Sequence, residues 1–219
     1  MPRPTLTQAD LVALCCAPIL MGAAMLLDLT PLADDTTELL TLVAASPGRW
    51  MWANLVFLCA GVAWTVAALG LLRRLGSRSR TVALGAVGVA AGGVTLGLIE
   101  ATMAYLPALA QSGASMSDRV GVVETLDASP LVLTFELVHI VGWLGGQLLI
   151  VVGLLLTRAV PRWVPVTLLV GLVGLVAFAT GPGLALASCV LAAGSTGLAV
   201  HLARARQLPA PAPHTLSVP

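Results

Sequence analysis

Lysine is absent from this chain, and charge of either sign is scarce: charged residues make up 10% of it and aromatic residues 4%. The missing lysine excludes any mechanism built on a lysine Schiff base. A charged fraction so far below the roughly 25% of soluble domains, beside 58% apolar residues and a mean hydropathy of +0.98, excludes an ordinary soluble fold. No Cys-x-x-Cys pair, His-Glu-x-x-His motif or nucleophile elbow occurs in the sequence. The four cysteines, Cys15, Cys16, Cys59 and Cys189, all fall within apolar runs and read as small buried hydrophobes.

What is present is long uncharged sequence. Six runs stand out: Leu11 to Leu29, Trp50 to Leu72, Thr81 to Tyr105, Leu131 to Leu156, Trp163 to Thr180 and Leu184 to Leu202. Each is long enough to cross a bilayer core, the fifth barely so. The expected fold is therefore all-α, a polytopic bundle of six transmembrane helices over residues 1–206, followed by a disordered proline-rich tail over 207–219. Gly181-Pro182-Gly183 reads as a breaker between the last two spans. The first run continues to Leu27, past the 7 to 15 apolar residues typical of a signal peptide, and is read as a retained helix. Leu186-Ala187-Ser188-Cys189 matches a lipoprotein box, but inside the last span such a signal cannot act.

Orientation follows from arginine. With the N-terminus inside, Arg3, Arg73, Arg74, Arg78, Arg80, Arg158, Arg162, Arg204 and Arg206 fall on the cytoplasmic side, leaving Arg49 and Arg119 outside. Both termini are then cytoplasmic, and the expected location is a bacterial inner (cell) membrane, crossed several times. The basic inner loops suit retention and contact with anionic headgroups, and no further basic surface suggests nucleic acid. Trp50, Trp52 and Tyr105 on the outside and Trp163 on the inside read as interfacial anchors.

Two outer loops carry helix signals. Asp35 stands three residues before Glu38 in a capping-box arrangement, and the stretch from Ser117 to Pro130 has a similar polar start with an apolar interior. Short amphipathic surface helices are expected in both. Ala45-Ser46-Pro47 and Ala128-Ser129-Pro130 each precede a span, and in each case Gly-Leu-Leu follows 23 residues after the proline, an offset of 83 residues. A duplication of spans two and three as spans four and five is one reading, and chance is the other.

The chemistry concentrates in TFELVHIVGWLGGQ, residues 134–147. At about 100° per residue, Glu136, His139, Trp143, Gly146 and Gln147 fall within roughly 80° of one another. The third span offers a stripe of small residues, Ala86, Ala90, Gly93, Gly97 and Ala104, interrupted by Glu100. Such a stripe is a packing face and aims Glu100 into the bundle. Glu100 and Glu136 both lie about 7 Å below the outer ends of their spans. With Asp28 and Asn54 near that level, polar groups from four helices are expected to converge in the outer third. Glu136, Glu100 and His139 are the candidate acid and base groups, with Asp28, Asn54 and Trp143 as candidate ligand contacts.

Alternatives are weighed by spacing. A di-iron carboxylate bundle needs the Glu-x-x-His pair twice, and it occurs once. A single zinc or manganese on Glu100, Glu136 and His139 is conceivable from the ligand types, but no metal or other cofactor is assigned. Haem between two histidines is excluded by depth, His139 lying near the outside, His201 near the inside and His214 in the tail.

The Gly153 to Leu156 helix end, followed by Arg158 and Pro161-Arg162-Trp163, resembles six-helix bacterial membrane proteins. That resemblance implies the helical fold and no particular activity. Three functional readings stand: an outer-leaflet cavity that binds a small lipophilic or cationic molecule, with proton movement as an option; an intramembrane enzyme acting by Glu/His acid–base chemistry on an isoprenoid or lipid-like substrate, similar to membrane-bound terpenoid cyclases; and a structural subunit, in a homo-oligomer or beside a membrane partner, whose polar groups tie helices together.

Overall fold

A computed structural model describes residues 6–178 and 181–204, and all regular structure among them is helical. The expected tail over 207–219, with His214, Arg206 and Arg3, lies outside the described residues. Ten α-helices follow one another: α1 (Gln8–Leu27), α2 (Thr36–Ala45), α3 (Pro47–Leu75), α4 (Arg80–Met103), α5 (Leu106–Ala110), α6 (Met116–Asp127), α7 (Pro130–Ile140), α8 (Gly146–Thr157), α9 (Trp163–Ala177) and α10 (Gly181–Arg204). A π-type turn, Val141–Gly145, joins α7 to α8 in one continuous rod.

Five helical segments are long and apolar enough to cross a membrane: Gln8–Leu32, Pro47–Leu75, Arg80–Ala110, Pro130–Thr157 and Pro182–Arg204. This is the pattern of a multi-pass membrane protein. The fifth of the six expected runs departs from it. Its helix, α9, has 15 residues and ends at Ala177, where Phe178 turns extended. At about 1.5 Å per residue it measures roughly 22 Å, short of the roughly 30 Å hydrocarbon core. The glycine-proline breaker also behaves differently from expectation, because α10 already begins at Gly181.

The long helices form a ring in which α1 packs on α3, α3 on α4, α4 on α8, α9 on α10 and α10 back on α1, with α8 touching α9 lightly. A gap of about 10 Å³ at the centre is lined from all six, by Leu14, Trp64, Val89, Gln147, Leu168 and Ser195 among others. Lipid provides no hydrophobic drive for this packing, so close backbone approach supplies it. A Cβ added to Gly142 would lie 2.8 Å from the Gly88 carbonyl oxygen, and one on Gly93 would lie 2.6 Å from that of Gly61. Gly142 and Gly146, four residues apart, both face α4 in this way, Gly146 against the Gly85 carbonyl.

At one end, Asp10, only 1% exposed, receives Arg73 at 2.6 Å and closes a capping box with Thr7. A side chain at Gly70 would collide with Asp10, so the glycine gives the carboxylate its room. The opposite end carries α2, α5 and α6. Leu29, Leu40, Val43, Trp50, Leu106, Ala110 and Val123 form a second hydrophobic cluster there, separate from the main core. This end is a folded cap.

Both loops expected to carry short helices are helical. The Asp35 carboxylate accepts from the Glu38 backbone N–H at 2.8 Å and caps α2, while the Glu38 carboxylate reaches one residue past the N-cap and accepts from the Asp34 N–H at 2.8 Å, a variant of the expected capping box. Ser115 caps α6. The two Ala-Ser-Pro motifs each join a surface helix to a span, with proline in the first turn of α3 and of α7. The matched packing that a duplication would leave is not seen, since α3 and α4 pack along each other whereas α8 and α9 meet lightly. The cysteines are all free; Cys15 is half-buried, while Cys16, Cys59 and Cys189 face outward instead of into the core.

Candidate functional site

The last turn of α1, the first turns of α3 and α7, and the last turn of α4 meet under the cap and enclose a cavity of about 250 Å³. Asp28, Asn54, Glu100 and Glu136 all line it, as the sequence reading expected of them. Asp127 and Trp50 join them from the cap side.

Each acidic group is placed by a local rule. Asp28 follows the last residue of α1 and accepts the Thr30 N–H at 2.9 Å. Glu100 stands on α4 seven residues after Gly93, whose contact with Gly61 draws α3 and α4 together. Glu136 lies on the second turn of α7, which starts from the Ser129 cap. Asp127 ends α6. It is exposed as a residue, yet it borders the cavity, where loss of water raises its carboxyl above the ordinary range.

Asn54 is 8% exposed. Its Nδ2 donates to the Trp50 carbonyl at 2.8 Å, and its Oδ1 is buried with no partner. A buried unpaired carbonyl oxygen costs on the order of 1–3 kcal/mol, so this acceptor is kept at a cost to the fold. Trp50 is fixed by an Nε1–H bond to the Met103 carbonyl at 3.3 Å.

The cavity lining contains no basic residue. The two arginines of this end are engaged elsewhere. Arg49 donates to the Leu27 carbonyl at 2.8 Å and to those of Leu26 and Asp28, covering the open end of α1. Arg119 donates to the Ala110 carbonyl at the end of α5. Such positions favour cations, because a helix leaves its last carbonyls unsatisfied.

Two candidates lie elsewhere. His139 Nδ1 meets the Gly92 carbonyl oxygen at 2.8 Å, and its ring stacks over Trp143 with centroids 6.4 Å apart. Trp143 is 5% exposed and meets Trp64 edge to face. Neither His139 nor Trp143 borders the cavity. Gln147, on the same rod, reaches the central gap, where its Nε2 is buried without a partner. The shared face inferred from ideal helical spacing therefore divides by height, with Glu136 in the cavity, His139 and Trp143 against α4, and Gln147 at the centre. Among the described residues, no three His, Cys, Asp or Glu groups gather closely enough to hold a metal ion. The zinc or manganese set of Glu100, Glu136 and His139 does not assemble.

Two contributors escaped the sequence reading. Trp50 was assigned to the interface as an anchor, but it is 5% exposed and sits inside the cap cluster. The spacing Trp50, Ala53, Asn54, Phe57 is a one-face helical pattern and could have revealed it. Asp127 gives no such signal, because its position depends on how α6 folds back over the bundle.

Comparison with protein-family models, curated proteins and solved structures finds no match to this chain.

Proposed function

We propose that the cavity under the cap binds a small organic cation. The observation that carries this reading is a cavity bordered by four carboxyl groups and the Asn54 side chain, with no basic side chain in its lining. A bare metal ion would need its oxygens gathered within about 2.6 Å of one point. These carboxyls are instead distributed around a larger space, which suits an ammonium group carried on a molecule. Trp50 and Phe57 in the lining are residue types whose rings attract cations. The engagement of His139 with Gly92 weighs against the acid–base enzyme reading, which needs that imidazole beside the glutamates.

In this reading the chain is a six-span protein of a bacterial cell membrane, with both termini cytoplasmic and the cap outside. The arginine distribution supports that orientation, and the position of α9 in the ring supports a short fifth span beside α10. The site then opens near the outer leaflet, and exchange of a proton for the cation is a natural consequence of clustered carboxyls.

Binding of butylammonium to the purified protein in nanodiscs tests the proposal. Glu100→Gln and Glu136→Gln should each weaken it about tenfold while the melting temperature stays near that of the parent. Equal binding of butyrate, or glutamine variants that chiefly misfold, would overturn it in favour of a structural role.

A further inference from the structure

Asn54 and Glu100 border two spaces. On one side is the acidic cavity; on the other is an apolar recess of about 180 Å³ between α3 and α4, floored by Leu58, Ala101 and Ala104. Leu58 and Ala101 also line the next recess, of about 420 Å³, which continues along the same two helices past Gly97 and Gly93 to Thr65. The two recesses thus meet at Leu58, whose side chain packs over Gly97, and at Ala101, and lie end to end as a groove on the membrane-facing surface that Leu58 partly divides. From Gly93 to Ala104 it spans eleven residues of α4, about 16 Å at 1.5 Å per residue, close to the depth of one leaflet's hydrocarbon.

The groove has a local cause. Gly61 and Gly93 bring the helices together at one height, and beyond it the small residues Gly97, Ala101 and Ala104 leave room beside Glu100. Flanking Leu55, Val62, Val94 and Leu98 stand out on either side at 40% exposure or more. Apolar recesses with raised walls therefore lead up to Glu100 and Asn54.

We propose that this groove holds the hydrocarbon chain of a single-chain amphiphile whose ammonium head enters the acidic cavity between Asn54 and Glu100. This rests on the cation reading of the cavity and specifies its ligand. Charge complementarity selects the head group: four carboxyls with no basic side chain in the lining welcome N–H donors. The same carboxyls repel a phosphate, so a phospholipid headgroup, even one ending in an amine, is disfavoured. Entry is lateral, from the leaflet, with the chain remaining in a lipid-like setting while the head leaves the interface.

Dodecylamine and butylamine binding, measured on the full chain in phosphatidylcholine nanodiscs, separates this inference from the cavity reading. Dodecylamine should bind more tightly than butylamine. Ala101→Phe, at an exposed groove position, should weaken dodecylamine about tenfold or more and leave butylamine within about twofold. Leu84→Phe, at a membrane-facing position of α4 outside the groove, should change neither. Glu100→Gln should weaken both amines. If Ala101→Phe leaves dodecylamine unaffected while butylamine still requires Glu100, the groove proposal fails and the cavity reading survives. If neither amine binds, both fail. Displacement of dodecylamine by phosphatidylethanolamine, with the same dependence on Glu100 and Ala101, would overturn the choice of a phosphate-free ligand.

Discussion

Asn54 donates its amide nitrogen to the Trp50 carbonyl at 2.8 Å, and its amide oxygen is left buried with no protein partner, on a residue that borders the cavity. One residue is given up as a packing element so that a polar acceptor can stand beside Glu100. Asn54→Leu removes that buried acceptor at similar volume. The melting temperature in detergent should hold or rise, while butylammonium affinity should fall about tenfold. A marked loss of stability would mean that the amide is structural.

The Asp10–Arg73 pair predicts asymmetric variants. Asp10 is 1% exposed and Arg73 49% exposed, so Arg73→Met strands a buried carboxylate, whereas Asp10→Ala leaves an arginine that can reach water. Arg73→Met should cost about 3 kcal/mol, and the double variant should cost less than the sum of the two. Denaturant unfolding in mixed micelles measures the cycle.

Gly142 and Gly145 stand three residues apart and predict opposite outcomes. A Cβ at 142 meets the Gly88 carbonyl, whereas one at 145 meets nothing within 4 Å. Gly142→Ala should destabilise by about 1–3 kcal/mol through helix separation, and Gly145→Ala should be neutral or stabilising by up to about 1 kcal/mol. Thermal unfolding of both, side by side, checks the contrast.

Asp127 predicts a pH dependence. Its carboxyl titrates above the ordinary range in the folded state, so the folded protein holds that proton more tightly than the unfolded chain does. The resulting stability is complete below the ordinary carboxylate range and is lost as pH rises through the raised value. Asp127→Asn should therefore be more stable than the parent at neutral pH, with the advantage shrinking on acidification. A bound cation should pull the Asp127 titration back down, which carboxyl-resolved NMR would detect.

Much of this arrangement was legible before any coordinates. Glu100 fell on a stripe of small residues and Glu136 at matching depth on the next span, and the two border one cavity. The start of α2 was written in Asp35 and Glu38. His139 shows the limit. Helical periodicity gives an angle, but His139 lies a turn beyond Glu136, at the height where Gly92 lets α7 come close enough for its carbonyl to capture the imidazole.

By itself, then, the sequence determined the class of protein, the long apolar helices and the residue types at the capped end, because hydropathy, caps and charge are properties of short segments. Tertiary structure alone decided that α9 is short, that Trp50 turns inward and that α6 brings Asp127 to the cavity. It also decided that Arg49 and Arg119 cover helix ends instead of neutralising the acids. Those outcomes depend on which backbones approach each other and at what height, and that is set by pairs of residues far apart in the chain.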